Sequence, residues 1–240
     1  VTGRQLLYKG KAKSVYRSPE SDDLIVEFRD DITAFDGEKK DVLLGKGEYN
    51  AQVSAFFFRY LEERGIKTHF ISMLDTRTML VRNLEMIPIE VIARNRAAGS
   101  ITRKYPFKEG EILDPPIIVI DYKDDTRHDP MLNDDIIHAL GLLSKEELAT
   151  VRKTTLTINE MLSEFFARRG IILVDFKIEF GKKNGDIILG DEISMDSMRL
   201  WDVKTGESLD KDVYRFDKGD VISVYSRVGQ AILSEKGEFA

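Results

Sequence analysis

Asp175-Phe176-Lys177-Ile178-Glu179 alternates charged and apolar residues, and the two-residue period of a β-strand puts its three charges on one face. Phe176, Ile178 and Phe180 then point to the opposite, buried face. The apolar run Ile171-Ile172-Leu173-Val174 leads into this strand, and Lys183-Asn184-Gly185 is a turn signal after it. A second strand, Ile187-Ile188-Leu189-Gly190, ends in Asp191-Glu192.

The register of this hairpin decides what the acids do. A three-residue loop with Gly185 left-handed pairs Lys182 with Asp186 and sets Asp191 opposite Lys177 and diagonal to Glu179. A two-residue loop on Asn184-Gly185 places Asp191 on the face of Ile178, where a carboxylate among apolar neighbours is costly. The expectation is therefore the three-residue register. Two carboxylates converging beside a lysine suit a magnesium-bound polyphosphate, because Mg²⁺ takes one or two carboxylates and completes its shell with phosphates and water. The same residues also read as a cross-strand salt bridge on a solvated face, worth less than about 1 kcal/mol.

Two basic segments suggest anion sites. Tyr8-Lys9-Gly10-Lys11-Ala12-Lys13 puts a glycine and alternating lysines in a tight turn, which lets backbone amides approach a phosphate. It lacks the spacing of a Walker A loop, and a solvated basic turn is the ordinary alternative. In Arg94-Asn95-Arg96-Ala97-Ala98-Gly99-Ser100, two arginines leave a strand, small residues give close backbone access, and Ser100 opens a short helix over 101–105. Arginine forks match a phosphate monoester, although an arginine-rich loop paired with surface acids has the same composition. Met198-Arg199-Leu200-Trp201-Asp202 offers another arginine soon after Asp191. His69, His128 and His138 have no zinc-ligand spacing, and Gly-x-Ser-x-Gly is absent.

These segments must be positioned by a chain of 240 residues, enough for one or two domains with a substantial core. The sequence contains no cysteine, which excludes thiol nucleophiles and disulfide frameworks and fits a reducing compartment. A net charge of −6 argues against general binding to nucleic acid or anionic membranes. The first residues lack the apolar stretch of a secretory signal, so a soluble cytoplasmic protein is expected. The sequence leaves oligomeric state open, with a homodimer as one candidate.

Short strands fill the first 45 residues, and a helix carrying Val53, Phe56, Phe57, Tyr60 and Leu61 stops at Gly65. Three more strands follow over 68–72, 78–82 and 87–94. Ser144 and Glu147 form a capping box that opens a helix through Phe165, and Asp220 caps a last helix. This order predicts an α+β fold with two lobes, residues 1–86 strand-rich and 87–240 mixed, with Pro88 at the seam.

Taken together, Tyr8 to Lys13, Val91 to Ser100, His128-Asp129-Pro130, Leu173 to Gly181, Gly190 to Glu192 and Ser197 to Asp202 resemble the phosphoribosylaminoimidazole-succinocarboxamide synthase, or SAICAR synthetase, family of purine biosynthesis. The resemblance implies an ATP-dependent ligase that phosphorylates the carboxylate of carboxyaminoimidazole ribotide (CAIR) and joins L-aspartate to the acyl phosphate. It implies a small antiparallel lobe, similar to that of protein kinases or ATP-grasp enzymes, over a larger α+β lobe, with ATP in the cleft. By the same resemblance, Gly10, Lys11, Ala12, Lys13 and Val15 would cover the nucleotide. Leu24, Arg82, Leu84 and Met86 would line the adenine pocket, with Lys123 also in the nucleotide set. Glu179 and Asp191 would hold Mg²⁺, and Arg94, Ser100 and Arg199 would clamp the ribotide phosphate, with Asp36 and Arg215 as further substrate ligands. Lys177 would neutralise charge at the transferring phosphoryl group, joined in catalysis by Asp175 and Asp129. Two other classes stand beside this one. A hydroxyl-directed kinase requires a His-Arg-Asp sequence, which is absent, and a non-catalytic nucleotide module has no need of Glu179 and Asp191.

Overall fold

The computed structural model describes residues 4–234, apart from the side chain of Asp36. Short alternating segments near the N-terminus build a five-stranded antiparallel sheet. Its strands are β1 (Leu6–Lys9), β2 (Lys13–Arg17), β3 (Leu24–Phe28), β6 (Phe70–Met73) and β7 (Thr78–Val81), in the order β1-β2-β3-β7-β6. A two-stranded hairpin of β4 (Asp31–Ala34) and β5 (Lys39–Val42) projects beside it.

Helix α1 (Lys46–Glu62) follows. Val53, Phe57, Phe58 and Leu61 recur at helical spacing and are fully buried. Its first turn is pressed against the end of β3. A Cβ on Gly47 would stand 2.6 Å from the Phe28 carbonyl oxygen, and the Gly47 amide donates to Asp30 Oδ1 at 2.9 Å. Alanine normally stabilises a helix over glycine by about 1 kcal/mol. Here the Cβ meets backbone that cannot rotate away, so Gly47→Ala is expected to destabilise the fold by about 1–3 kcal/mol net. The melting temperature should fall by about 2–4 °C per kcal/mol, and an unchanged or raised melting temperature would show that the helix start can shift.

The second sheet is organised on one long strand. Its members are β8 (Glu85–Met86), β9 (Ile89–Arg96), β10 (Ile112–Tyr122), β11 (Ile171–Lys183), β12 (Asp186–Gly190) and β13 (Met198–Asp202). The first half of β11 lies between β9 and β13, and its second half pairs with β12 and β8. β11 therefore changes neighbours between Ile178 and Glu179. The expected alternation holds: Phe176, Ile178 and Phe180 are buried in the core.

The remaining helices are α2 (Ser100–Lys104), α3 (Asp134–Ala139), α4 (Lys145–Ala167), α5 (Asp212–Arg215) and α6 (Val221–Leu233). The capping box of Ser144 and Glu147 opens α4, and Asp220 caps α6 through the amides of Ile222 and Ser223. Phe57 of α1 packs on Phe165 and Phe166 of α4 at centroid distances of 5.1 and 5.5 Å. One apolar core runs beneath both sheets, joining Phe28, Phe57, Phe166, Phe180 and Tyr225. No helix of the described residues is long and apolar enough to cross a membrane.

The hairpin register corrects the sequence expectation. Lys183 pairs with Asp186 and Glu179 with Gly190, so the loop is the two-residue Asn184-Gly185. Both loop residues have positive φ, 55° and 83°, the backbone of a type I′ turn, whose twist matches that of the strands.

Candidate active site

In that register a continuing strand would carry Asp191 to the face of Ile178. The ladder instead ends at Gly190, and Asp191 takes a left-handed conformation, φ 58°. This turn swings its carboxylate out of the ladder to pair with Lys13 Nζ, which also lies 3.1 Å from Glu192 Oε1. Convergence was expected on the sequence, but the device that achieves it is a backbone turn.

Glu179 stands beside this pair, buried and chelated: Lys123 Nζ donates to both of its carboxylate oxygens at 2.6 Å. Lys177 pairs with Glu90 and lies 3.9 Å from Glu179 Oε1. Burial and the neighbouring Asp191 charge push the Glu179 carboxyl up to about 7. Burial also works against a charged Asp191, yet Lys13, Lys123 and Lys177 outweigh it and hold that carboxyl well below the usual range. For Lys123 burial is again the largest influence and opposes charge, but Glu179 and Asp191 overcome it and raise the ammonium's pKa. The result is a cluster of lysines alternating with carboxylates, two of them hard oxygen donors close enough to perturb each other.

The donor set fits Mg²⁺. No group of three or more histidine or acidic side chains forms a metal cage among the described residues. A pair of carboxylates is the protein share that an ion completing its shell with phosphates and water requires.

A second cluster lies further along the same face of β11. Asp175 is paired across the sheet with Arg94 on β9 and Arg199 on β13. Its Oδ2 accepts from both guanidinium groups at 2.8 Å. Arg94 is buried and also donates to the Ala98 carbonyl at 3.1 Å and to Ser100 Oγ at 3.0 Å. Burial lowers its pKa, with Asp175 opposing the fall. Arg199 Nε reaches Asp212 Oδ2 at 3.0 Å, and Asp212 in turn pairs with Arg215. A Cβ on Gly99 would stand 2.5 Å from Arg199 Nη2, so a glycine lets the arginine lie against the 97–100 turn.

A cavity of about 440 Å³ is lined by Arg94, Ser100, Asp129, Asp175, Lys177, Arg199 and Arg215, with Lys11 at its mouth. The tip of the β4–β5 hairpin forms part of its wall through Thr33, Ala34, Phe35 and Gly37. Asp129, left-handed at φ 45°, accepts from the Asp124 amide at 2.8 Å and so closes the loop after β10. Asp36 lies in the turn of the hairpin, but its side chain falls outside the described structure.

The nucleotide residues named by resemblance divide. Gly10, Lys11, Ala12 and Lys13 form the β1–β2 turn, with Lys11 paired to Asp125 at 2.8 Å. Leu84 and Met86 lie on the β11–β12 hairpin. Cβ atoms on Gly181 and Gly190 would meet Leu84 Cβ at 2.7 Å and Met86 Sδ at 3.3 Å. Val15 and Leu24 are half-buried in the first sheet, paired with Val26 and Val81. Arg82 donates to the Thr68 and Phe70 carbonyls at 2.9 Å each, which occupies its Nη1 with backbone.

Sequence reasoning missed the groups that hold these residues. Arg29 gathers the β1–β2 turn, donating to the carbonyls of Gly10 at 2.7 Å and Lys13 at 2.9 Å and to Ser14 Oγ at 2.8 Å. Lys46, fully buried, donates to Asp196 Oδ2 at 2.6 Å, and Tyr225 Oη donates to Asp196 Oδ1 at 2.6 Å. Glu90 carried a readable signal: on a strand it shares a face with Ile92 and Arg94, beside the charged face of β11.

The geometry thus sets a lysine–carboxylate cluster beside an arginine–serine cluster on one face of β11. The SAICAR synthetase family model matches residues 6–232. Phosphoribosylaminoimidazole-succinocarboxamide synthase of Methanoculleus marisnigri is 65% identical over 95% of both chains. Among solved structures, a SAICAR synthetase in complex with ADP superposes with a TM-score of 0.91 at 51% identity, covering 97% of this chain and 99% of that one. The Ehrlichia chaffeensis phosphoribosylaminoimidazole-succinocarboxamide synthase gives 0.92 at 41% identity, covering 94% and 97%. Likeness of this depth over essentially the whole described fold leaves one assignment: the chain belongs to the SAICAR synthetase family.

Proposed function

We propose that the two clusters on β11 are the working halves of one site: ATP at Lys13, Lys123, Glu179 and Asp191, and ribotide at Arg94, Ser100 and Arg199. The chain is an ATP-dependent ligase that joins L-aspartate to the carboxylate of CAIR, giving SAICAR, ADP and phosphate. The observation that carries the site assignment is the row of Asp175, Lys177 and Glu179 on one strand. It places the arginine cluster and the lysine–carboxylate cluster about two and four residues apart, roughly 7–14 Å. A ribotide held by its phosphate at the arginines, with its carboxylate toward Lys177, would then face the terminal phosphate of a nucleotide at the lysine–carboxylate cluster.

Lys177 sits between the halves. A carboxylate oxygen of CAIR attacks the γ-phosphorus and ADP leaves; the amine of aspartate then attacks the acyl carbon, loses a proton, and phosphate departs. Both steps bring anions together, so fixed cations at the point of charge transfer lower the barrier. Mg²⁺ held by Glu179 and Asp191 would supply further charge neutralisation on the phosphates. Lys177 is restrained by Glu90, whereas Lys123, which occupies both Glu179 oxygens, would turn toward the phosphates when Glu179 takes the ion. Asp175 fixes both arginine forks, and Asp129 shapes the loop facing them. The adenine is assigned to Val15, Leu24, Leu84 and Met86, with the Arg82 side chain supporting the backbone there.

Residues 1–86 and 87–240 are proposed as the two lobes, although β8 pairs with β11 and so ties the end of the first to the second. Closure of the strand-rich lobe would exclude water, which otherwise hydrolyses the acyl phosphate.

The test is a substrate-omission assay. With ATP, magnesium, CAIR and L-aspartate, ADP and SAICAR should form in equal amounts, and omitting the ribotide should stop ADP release. ADP formation that ignores both organic substrates would mean a simple ATPase.

A further inference from the structure

The cations of the cavity are nearly all matched to acids. Lys11 pairs with Asp125, Arg94 and Arg199 with Asp175, Lys177 with Glu90, and Arg215 with Asp212. Among the described residues, the cavity-lining Arg103 and Lys211 make neither an ion pair nor a side-chain hydrogen bond. Arg103 lies on α2 one turn from Ser100 and near Arg94, so it belongs with the ribotide-phosphate cluster.

Lys211 is different in place. It precedes α5, its carbonyl accepting from the Tyr214 and Arg215 amides at 3.0 Å each, and its side chain enters the cavity beside Arg215 and Asp196. Asp196 attracts it but is already engaged on both oxygens, by Lys46 and Tyr225. Glu192, the other nearby acid, is held by Lys13 at 3.1 Å and by Ser194 Oγ at 2.6 Å. An ammonium drawn out of water with no partner of its own is costly. Burial accordingly lowers the Lys211 pKa, with Asp196 only partly opposing. A ligand carboxylate would relieve that cost, and the reaction supplies one. The phosphates of ATP and ribotide already have cations in the two clusters, whereas the dicarboxylate L-aspartate has none.

We infer that Lys211, flanked by Arg215, anchors a carboxylate of L-aspartate and so selects the amine donor. The inference rests on the ligase reading above. The subsite adjoins Asp196 and Ser197, on the loop that follows Asp191.

Steady-state kinetics of Lys211→Met test it. Loss of one charge-assisted bond should raise KM for L-aspartate roughly 10- to 100-fold, while KM for ATP and CAIR stay near parental values. Succinate, which keeps both carboxylates and lacks the amine, should compete with aspartate in the parent and inhibit the variant far less. Lys211→Arg, which keeps the charge, should fall between. A parental KM for aspartate, or an equal rise for all three substrates, would overturn the assignment. Thermal melting of both variants identifies a folding defect, and Lys211→Gln then serves as the neutral comparison. A parent enzyme that releases ADP without needing aspartate would defeat the ligase reading itself. A parent that needs aspartate, with Lys211→Met unaffected, would defeat only the role of Lys211.

Discussion

Asp191→Asn is expected to lower kcat by about 10²- to 10³-fold while leaving the fold intact, the magnitude typical of removing one preorganised electrostatic group. The substitution is nearly isosteric, and asparagine is among the few residues that accept φ near +58°, so the turn after Gly190 should survive. What changes is charge. Lys13 loses its carboxylate partner and keeps only Glu192 at 3.1 Å. Glu179 loses the neighbour that, after burial, does most to raise its pKa. The donor set falls from two carboxylates to one carboxylate and a neutral amide oxygen, so an ion that still binds is held with less charge and in a less fixed position against the phosphates. Saturating magnesium should therefore restore little. A kcat near the parental value at saturating magnesium, with an unchanged melting curve, would remove Asp191 from the metal site.

The same turn marks the boundary of what the chain reveals before folding. The charged face of β11 was legible because strand periodicity is local, and the capping box at Ser144 and the cap at Asp220 are local for the same reason. Strand periodicity extended to Asp191 predicts the wrong hairpin register, because the left-handed backbone of Asp191 ends the strand at Gly190. β10 is not legible as a strand because Pro115 and Pro116 interrupt it. The structure accommodates them where the register with β9 shifts between Ile112 and Ile117, a stretch of β10 that needs no ladder donors there. β4 and β5 are four residues each, and Lys39-Lys40-Asp41 gives no apolar alternation to read. The supporting ion pairs were beyond reach for another reason. Lys46 and Asp196 are 150 positions apart and Lys13 and Asp191 178 apart, so their pairing depends on the tertiary fold.

Arg94→Ala should raise KM for CAIR by about 10²-fold with little change in KM for ATP, since charge-assisted bonds to a phosphate are worth about 1.5–3 kcal/mol each. The asymmetry follows from position. Arg94 faces Asp175, Ser100 and the Ala98 carbonyl, and every nucleotide-side contact belongs to other residues. A stability cost accompanies the change. Breaking a buried ion pair commonly costs about 3–5 kcal/mol, but Asp175 retains Arg199 at 2.8 Å, so the loss should fall below that range. Arg94→Lys separates charge from shape. One ammonium can satisfy Asp175, but it cannot also reach Ser100 and a phosphate in the planar geometry of a guanidinium. The lysine variant should therefore recover most of the melting temperature and little of the ribotide affinity. Equal increases in both KM values for Arg94→Ala would place the arginine outside the ribotide subsite. Full recovery of ribotide KM by Arg94→Lys would show that charge alone, not the fork, binds the phosphate.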